Sequence, residues 1–170
     1  MLAATASELV SGGPLNGFAM SSPSSDVAFT PTVKAIQAKR GSRAHFAKME
    51  EKGGWRTAIT PDLASRVTEA RSLYLATAGA DGQPYVQHRG GPPGFVRVVD
   101  ERTLGFADFK GNRQYITTGN LAENTKAFIF IMDYAQRRRV KIWGRARVVR
   151  AMQSSSRSLG PRAIRRVPSR

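Results

Sequence analysis

The chain of 170 residues has no cysteine. That excludes disulfides, thiolate nucleophiles and cysteine-ligated zinc. It has two histidines, His45 and His88, too few and too far apart to suggest a metal site. Acidic residues are scarce: 12 Asp and Glu stand against 27 Lys and Arg, a net charge of +15. No apolar run approaches the roughly 20 residues of a membrane-spanning helix. The first 25 residues lack the basic start and continuous apolar core of a secretory leader, which leaves the cytoplasm as the default compartment. Several catalytic signatures are also missing: the P-loop, the dinucleotide G-x-G-x-x-G, the nucleophile elbow and H-E-x-x-H. The adjacent carboxylates Asp100 and Glu101 sit in a turn, where such a pair is ordinary turn chemistry.

What is present is an average globular composition, 41% hydrophobic and 23% charged, at a length that suits one domain. The positive charge is uneven. From residue 137 onward there are eleven arginines and one lysine with no acid, and six of those arginines lie in the last 21 residues. Removing six of the fifteen charges leaves +9 on residues 1–149. An anionic ligand or surface can use that excess.

Along the chain, residues 1–25 are rich in Ser, Gly and Ala, without sustained periodicity. They read as a disordered segment, with Met20 as an alternative start. Thr30-Pro31 and Thr60-Pro61-Asp62 are helix start signals. They predict two short helices over 31–51 and one over 61–70. Strands follow at 72–78 and 84–89, joined by the turn signal Ala80-Asp81-Gly82. Gly90-Gly-Pro-Pro-Gly94 cannot be helix or central strand. Further strands are expected at 95–99, 103–109, 126–133 and 137–150. A short helix is expected over 113–121, capped by Asn112. The tail from 151 shows neither strand alternation nor a helix face and reads as disordered. The expected organisation is thus a domain over 26–150 between segments 1–25 and 151–170. Six closely spaced strands with few helices predict a mainly β fold, a small antiparallel barrel. The apolar strand Phe128-Ile-Phe-Ile131 is hard to cover in a barrel of this size, which predicts a homodimer.

Phosphate binding needs backbone N–H donors, a helix N-terminus and one or two cations. Lys110-Gly111-Asn112-Arg113 offers these at the junction of a strand and a helix, and a solvated basic turn is an equal alternative. Gln87-His88-Arg89 ends a strand before a glycine-rich loop. Gln87 and Arg89 there can hydrogen-bond a planar heterocycle, while a lone His88 is more often structural. Trp143 can stack on an aromatic ring, although core or dimer packing is the commoner role. Arg137-Arg-Arg139 reads most simply as a solvated strand start.

The segments Tyr74-Leu-Ala-Thr-Ala78, Gly82-Gln-Pro-Tyr-Val-Gln-His-Arg-Gly-Gly-Pro-Pro-Gly-Phe95, Phe106-Ala-Asp-Phe-Lys-Gly-Asn-Arg-Gln-Tyr115, Gly119-Asn-Leu-Ala-Glu-Asn124 and Ile142-Trp-Gly-Arg-Ala-Arg-Val148 together resemble the FMN-binding split-barrel family related to pyridoxamine 5′-phosphate oxidase. The resemblance covers about 29–149. It implies a six-stranded antiparallel split β-barrel with short peripheral helices, a homodimer, and FMN at the subunit interface. The family's first strand of phosphate and ring contacts falls on Gln87, His88 and Arg89, and the next pair of contacts on Ala107 and Asp108. Its phosphate-binding turn falls on Lys110, Asn112 and Arg113. The residue reaching across from the partner falls near Arg139, where relatives commonly carry glutamine. True pyridoxamine-phosphate oxidases continue into a segment with Trp, Arg and His that completes the substrate site. The Arg- and Ser-rich tail here lacks that pattern and reads as a frameshift or early stop.

The resemblance therefore implies flavin binding rather than a particular substrate. The expected protein is an FMN-dependent oxidoreductase acting on a small molecule, its chemistry carried by the cofactor. A non-catalytic flavin-binding or sensor protein on the same barrel is the alternative. A basic nucleic-acid-binding module is a second, less favoured one.

Overall fold

The computed structural model describes residues 2–6, 23–108 and 111–149. Helices start where the threonine–proline pairs place them. Thr30 accepts from the Val33 N–H at 3.3 Å, with Pro31 at the first helical position, and α1 runs Pro31–Lys39. Gly41, at φ 77°, turns the chain into α2, Arg43–Glu50. Thr60 accepts from Leu63 N–H at 3.4 Å and starts α3, Pro61–Glu69. Both caps satisfy an N–H that the helix itself cannot pair.

Seven strands form one antiparallel sheet: β1 (Leu2–Ala6), β2 (Ser72–Ala78), β3 (Pro84–Gly90), β4 (Val96–Asp100), β5 (Thr103–Phe106), β6 (Lys126–Asp133) and β7 (Arg138–Val148). Their order is β3-β2-β6-β7-β1-β5-β4. The six expected strands are all present, and the fold is mainly β. The seventh, β1, makes residues 2–6 of the segment expected to be disordered a strand, while 7–22 lie outside the described residues. It pairs with β5 on one side and β7 on the other. A Leu-Ala-Ala-Thr-Ala run carries no alternation and little strand propensity, so only its two neighbours make it a strand. Ser24–Val27, a short 3-10 turn, is also ordered into the body of the protein. The tail 151–170 lies outside the described residues.

Alternation builds the core. Leu73 and Leu75 of β2, Ile129 and Ile131 of β6 and Ala146 of β7 are buried on one face. Val67 of α3, Leu121, and Phe95, Val96, Leu104 and Phe106 complete the cluster. The opposite face of β6 carries Phe128 and Phe130. Phe128 packs on Trp143, ring centroids 4.8 Å apart, and Trp55 stacks on Trp143 at 4.7 Å. Phe29 meets both Trp55 and Phe46 edge-on, each at 5.2 Å. This aromatic series binds the α1–α2 layer to the sheet. Trp143 is thus used in packing within the chain. His45, exposed, lies edge-on against its neighbour Phe46.

Among the described residues no ladder joins β4 back to β3. The sheet nevertheless curls. β3 and β5 are separated by five strand spacings, about 24 Å in a flat sheet. Yet Arg89, in β3, forms an ion pair with Asp108, two residues past β5.

Candidate functional site

The inner face of β3 is set by its register with β2. Arg89 lies opposite Leu73 and Gln87 opposite Leu75, so both side chains point to the core side. His88 lies opposite Tyr74, on the other face, with the two rings 5.4 Å apart. The strand ends in Gly90, and the loop that follows is tied down. Gly91 N–H donates to Arg71 O at 3.0 Å, and Gly94 N–H to Thr68 O at 2.6 Å. A Cβ on Gly91 would sit 2.6 Å from the Phe95 Cβ, so no larger residue fits there.

Gln87 is oriented by α4, Ile116–Glu123. The Thr117 hydroxyl, 3% exposed, donates to Gln87 Oε1 at 2.8 Å. That occupies the Gln87 carbonyl oxygen and leaves its NH2 as the group to donate. Asn120 Nδ2 donates to the buried Thr77 hydroxyl at 3.0 Å, and Glu123 accepts from Ala80 N–H at 3.1 Å. Thr117, Asn120 and Glu123 were missed from the sequence. Their spacing of three residues places them on one helix face, a signal that was available.

Arg89 pairs through Nη1 with Asp108, and its Nε is buried with no partner among the described residues. A buried N–H without a partner costs about 1–3 kcal/mol. Such an atom marks a place where an acceptor would be stabilising.

The basic turn differs from its expected form. α4 begins at Ile116, and Asn112 does not cap it. Arg113 and Tyr115 take left-handed backbone, φ 61° and 55°, which interrupts any helix through them. Asn112 Oδ1 instead accepts from Gln114 N–H at 3.2 Å and closes a local turn. Asn112 and Arg113 are exposed. Lys110 lies outside the described residues.

The structure therefore brings Gln87, Arg89 and Asp108 together, with Ala107 beside Asp108 in the chain. It places His88 and Arg139 on the opposite face. Arg139 lies opposite Met132, one position from the core-facing pair Ile131 and Val140. On that face Tyr74 hydrogen-bonds Tyr134, which holds the Tyr134 phenol above its usual range.

An open groove of about 620 Å³ lies elsewhere, between the β2–β3 turn and α4. It is at the far end of β3 from Arg89, about 13 Å by strand rise from Tyr85. Its Asp81 and Glu123 carboxylates are already engaged by backbone N–H groups and do not suit an anion. Among the described residues no group of His, Asp or Glu could hold a metal, and no helix is long and apolar enough to cross a membrane.

One face of β3 thus carries a guanidinium with an N–H unmet among the described residues and an amide oriented by α4, and an exposed turn at Asn112–Arg113 follows β5 in the chain. The profile of the pyridoxamine 5′-phosphate oxidase family matches residues 59–166, and the chain belongs to that family. Its members typically bind a flavin. The match begins later than the resemblance at 29 and runs on past 149. Among solved structures, a 1.98 Å crystal structure of a HupZ variant from Group A Streptococcus is similar at 21% identity, over 51% of this chain and 67% of that one, with a TM-score of 0.41. No curated protein matches the chain.

Proposed function

We propose that the protein binds FMN and serves as a flavin-dependent oxidoreductase, with two copies of the chain completing the site. The observation that carries this is Arg89, whose Nε–H is buried without a partner among the described residues, on the same face of β3 as an amide held by Thr117. These groups fit the cofactor. Arg89 can hold an oxyanion, and the Gln87 NH2 can donate to a ring carbonyl. Asn112 and Arg113 on the exposed turn can share the phosphate, because left-handed and turn backbone directs N–H groups outward.

A bound flavin supplies hydride-accepting redox chemistry. The chain supplies orientation and charge. Thr117 fixes the Gln87 donor that would meet the ring's carbonyl edge, and Arg89 would hold the phosphate. Exposed His88 and Arg139, with Val86 and Tyr134 59% and 71% exposed, lie on strands or turns available to a second copy. Burying them between copies would remove that apolar surface from water.

The test is reconstitution. Purified protein is incubated with FMN, desalted, denatured, and the released flavin identified by chromatography. Stoichiometric FMN is expected, with light scattering giving twice the mass of one chain. Colourless protein with no measurable FMN affinity refutes the flavin reading. A monomer that retains FMN refutes the shared site.

A further inference from the structure

Among the described residues the seam between the two ends of the sheet has no ladder, and the Arg89–Asp108 ion pair crosses it. The Arg89 side chain is largely withdrawn from solvent, 13% exposed, and that of Asp108, an exposed residue, less so, 28%. Asp108 takes only Nη1 of the guanidinium. The Nε–H, on the other edge, is buried and unpartnered among the described residues. Arginine grips an oxyanion best with two parallel N–H bonds from one edge. The contact with Asp108 leaves that stronger grip unused.

We propose that Asp108 is an internal counter-anion of Arg89, which a phosphate-bearing ligand displaces, so that Asp108 sets how tightly the site holds phosphate. The identity of that ligand rests on the FMN reading above; the clasp itself does not. Displacement follows from burial. Solvent does not reach the Nε–H, so an incoming oxyanion meets it only once the guanidinium has moved away from Asp108. The carboxylate is the more exposed partner and can turn to water when released. A carboxylate beside the site also repels a phosphate that approaches without displacing it. Arg89 is thus held neutralised across the seam until an anion with a better grip arrives.

The test compares the wild-type protein with Asp108→Asn, which removes the charge and keeps the shape. FMN and riboflavin, which lacks the phosphate, are titrated against flavin fluorescence. Asp108→Asn is expected to bind FMN about tenfold more tightly, the loss of one competing charge-assisted contact, and riboflavin unchanged. A residue that merely supported the fold would weaken both flavins together. FMN binding that is equal or weaker in the variant overturns the proposal. Should Asp108→Asn fail to fold, Asp108→Ser is expected to shift FMN in the same direction.

If FMN binds neither protein, a flavin-free arm decides. Pyrophosphate should raise the melting temperature of the variant at about tenfold lower concentration than for wild type. That result with no FMN binding refutes the flavin reading and sustains the clasp. No difference with pyrophosphate either overturns the clasp.

Discussion

Thr117 is the sharpest place to separate the fold from the site. Its hydroxyl donates to Gln87 at 2.8 Å from a position 3% exposed. Thr117→Val replaces the hydroxyl by a methyl and keeps the volume. The Gln87 carbonyl is half-buried and regains water in part. The stability lost is then the net value of one neutral hydrogen bond, about 0.5–1.5 kcal/mol. The larger effect falls on binding. With its oxygen released, the Gln87 amide samples other rotamers and flips. Restoring one orientation costs about 0.5–1.5 kcal/mol, or roughly a threefold to tenfold loss of FMN affinity. Thr117→Ser is the converse: the donor stays and a buried methyl goes. Its stability falls by about 1 kcal/mol, and FMN affinity should hold. Urea denaturation followed by circular dichroism gives the stabilities, and flavin fluorescence quenching gives the affinities. If valine binds FMN as tightly as wild type while serine does not, Gln87 is not a ligand that Thr117 orients, and the assignment of β3 to the ring fails.

Three further outcomes are expected. Trp55→Ala breaks contacts with Trp143 at 4.7 Å and Phe29 at 5.2 Å, and should cost about 1–3 kcal/mol in urea denaturation at roughly 0.5–1.5 per aromatic pair; a loss below the scatter of the measurement would mean that the α1–α2 layer is not bound through these rings. Gly91→Ala forces a Cβ to within 2.6 Å of Phe95 and should destabilise by about 1–3 kcal/mol, with the melting temperature as the check. Arg113→Ala should weaken FMN about tenfold, the value of one charge-assisted contact, while Arg138→Ala leaves it unchanged; equal losses would show that the phosphate is held by the diffuse positive field.

Local signals read cleanly wherever the determinant was itself local. Thr30-Pro31 and Thr60-Pro61 start α1 and α3 because a hydroxyl three residues upstream meets an N–H the helix cannot pair. The β2–β3 hairpin follows from the turn Ala80-Asp81-Gly82, with Gly82 at φ 86°. The direction of Arg89 and Gln87 against His88 follows from strand alternation once β2 supplies the register. By contrast, reading Asn112 as a cap placed the helix three residues early, because left-handed backbone at Arg113 and Tyr115 has no signature in those residue types.

The amino-acid sequence by itself determined the strands that alternate, the helices that carry caps, the exclusion of thiol chemistry, and the family through its motifs along one stretch of chain. Tertiary structure alone decided three things. It made Leu2–Ala6 a strand, because pairing on both sides outweighs the weak propensity of alanine. It oriented Gln87 through Thr117, thirty residues away in the chain and adjacent only after α4 packs beneath β3. And it brought Asp108 onto Arg89 across the seam of a curled sheet, a contact made by the bend of the six strands from β3 to β5 together. No pattern in the sequence records such a bend, because it is summed over every strand between the two residues.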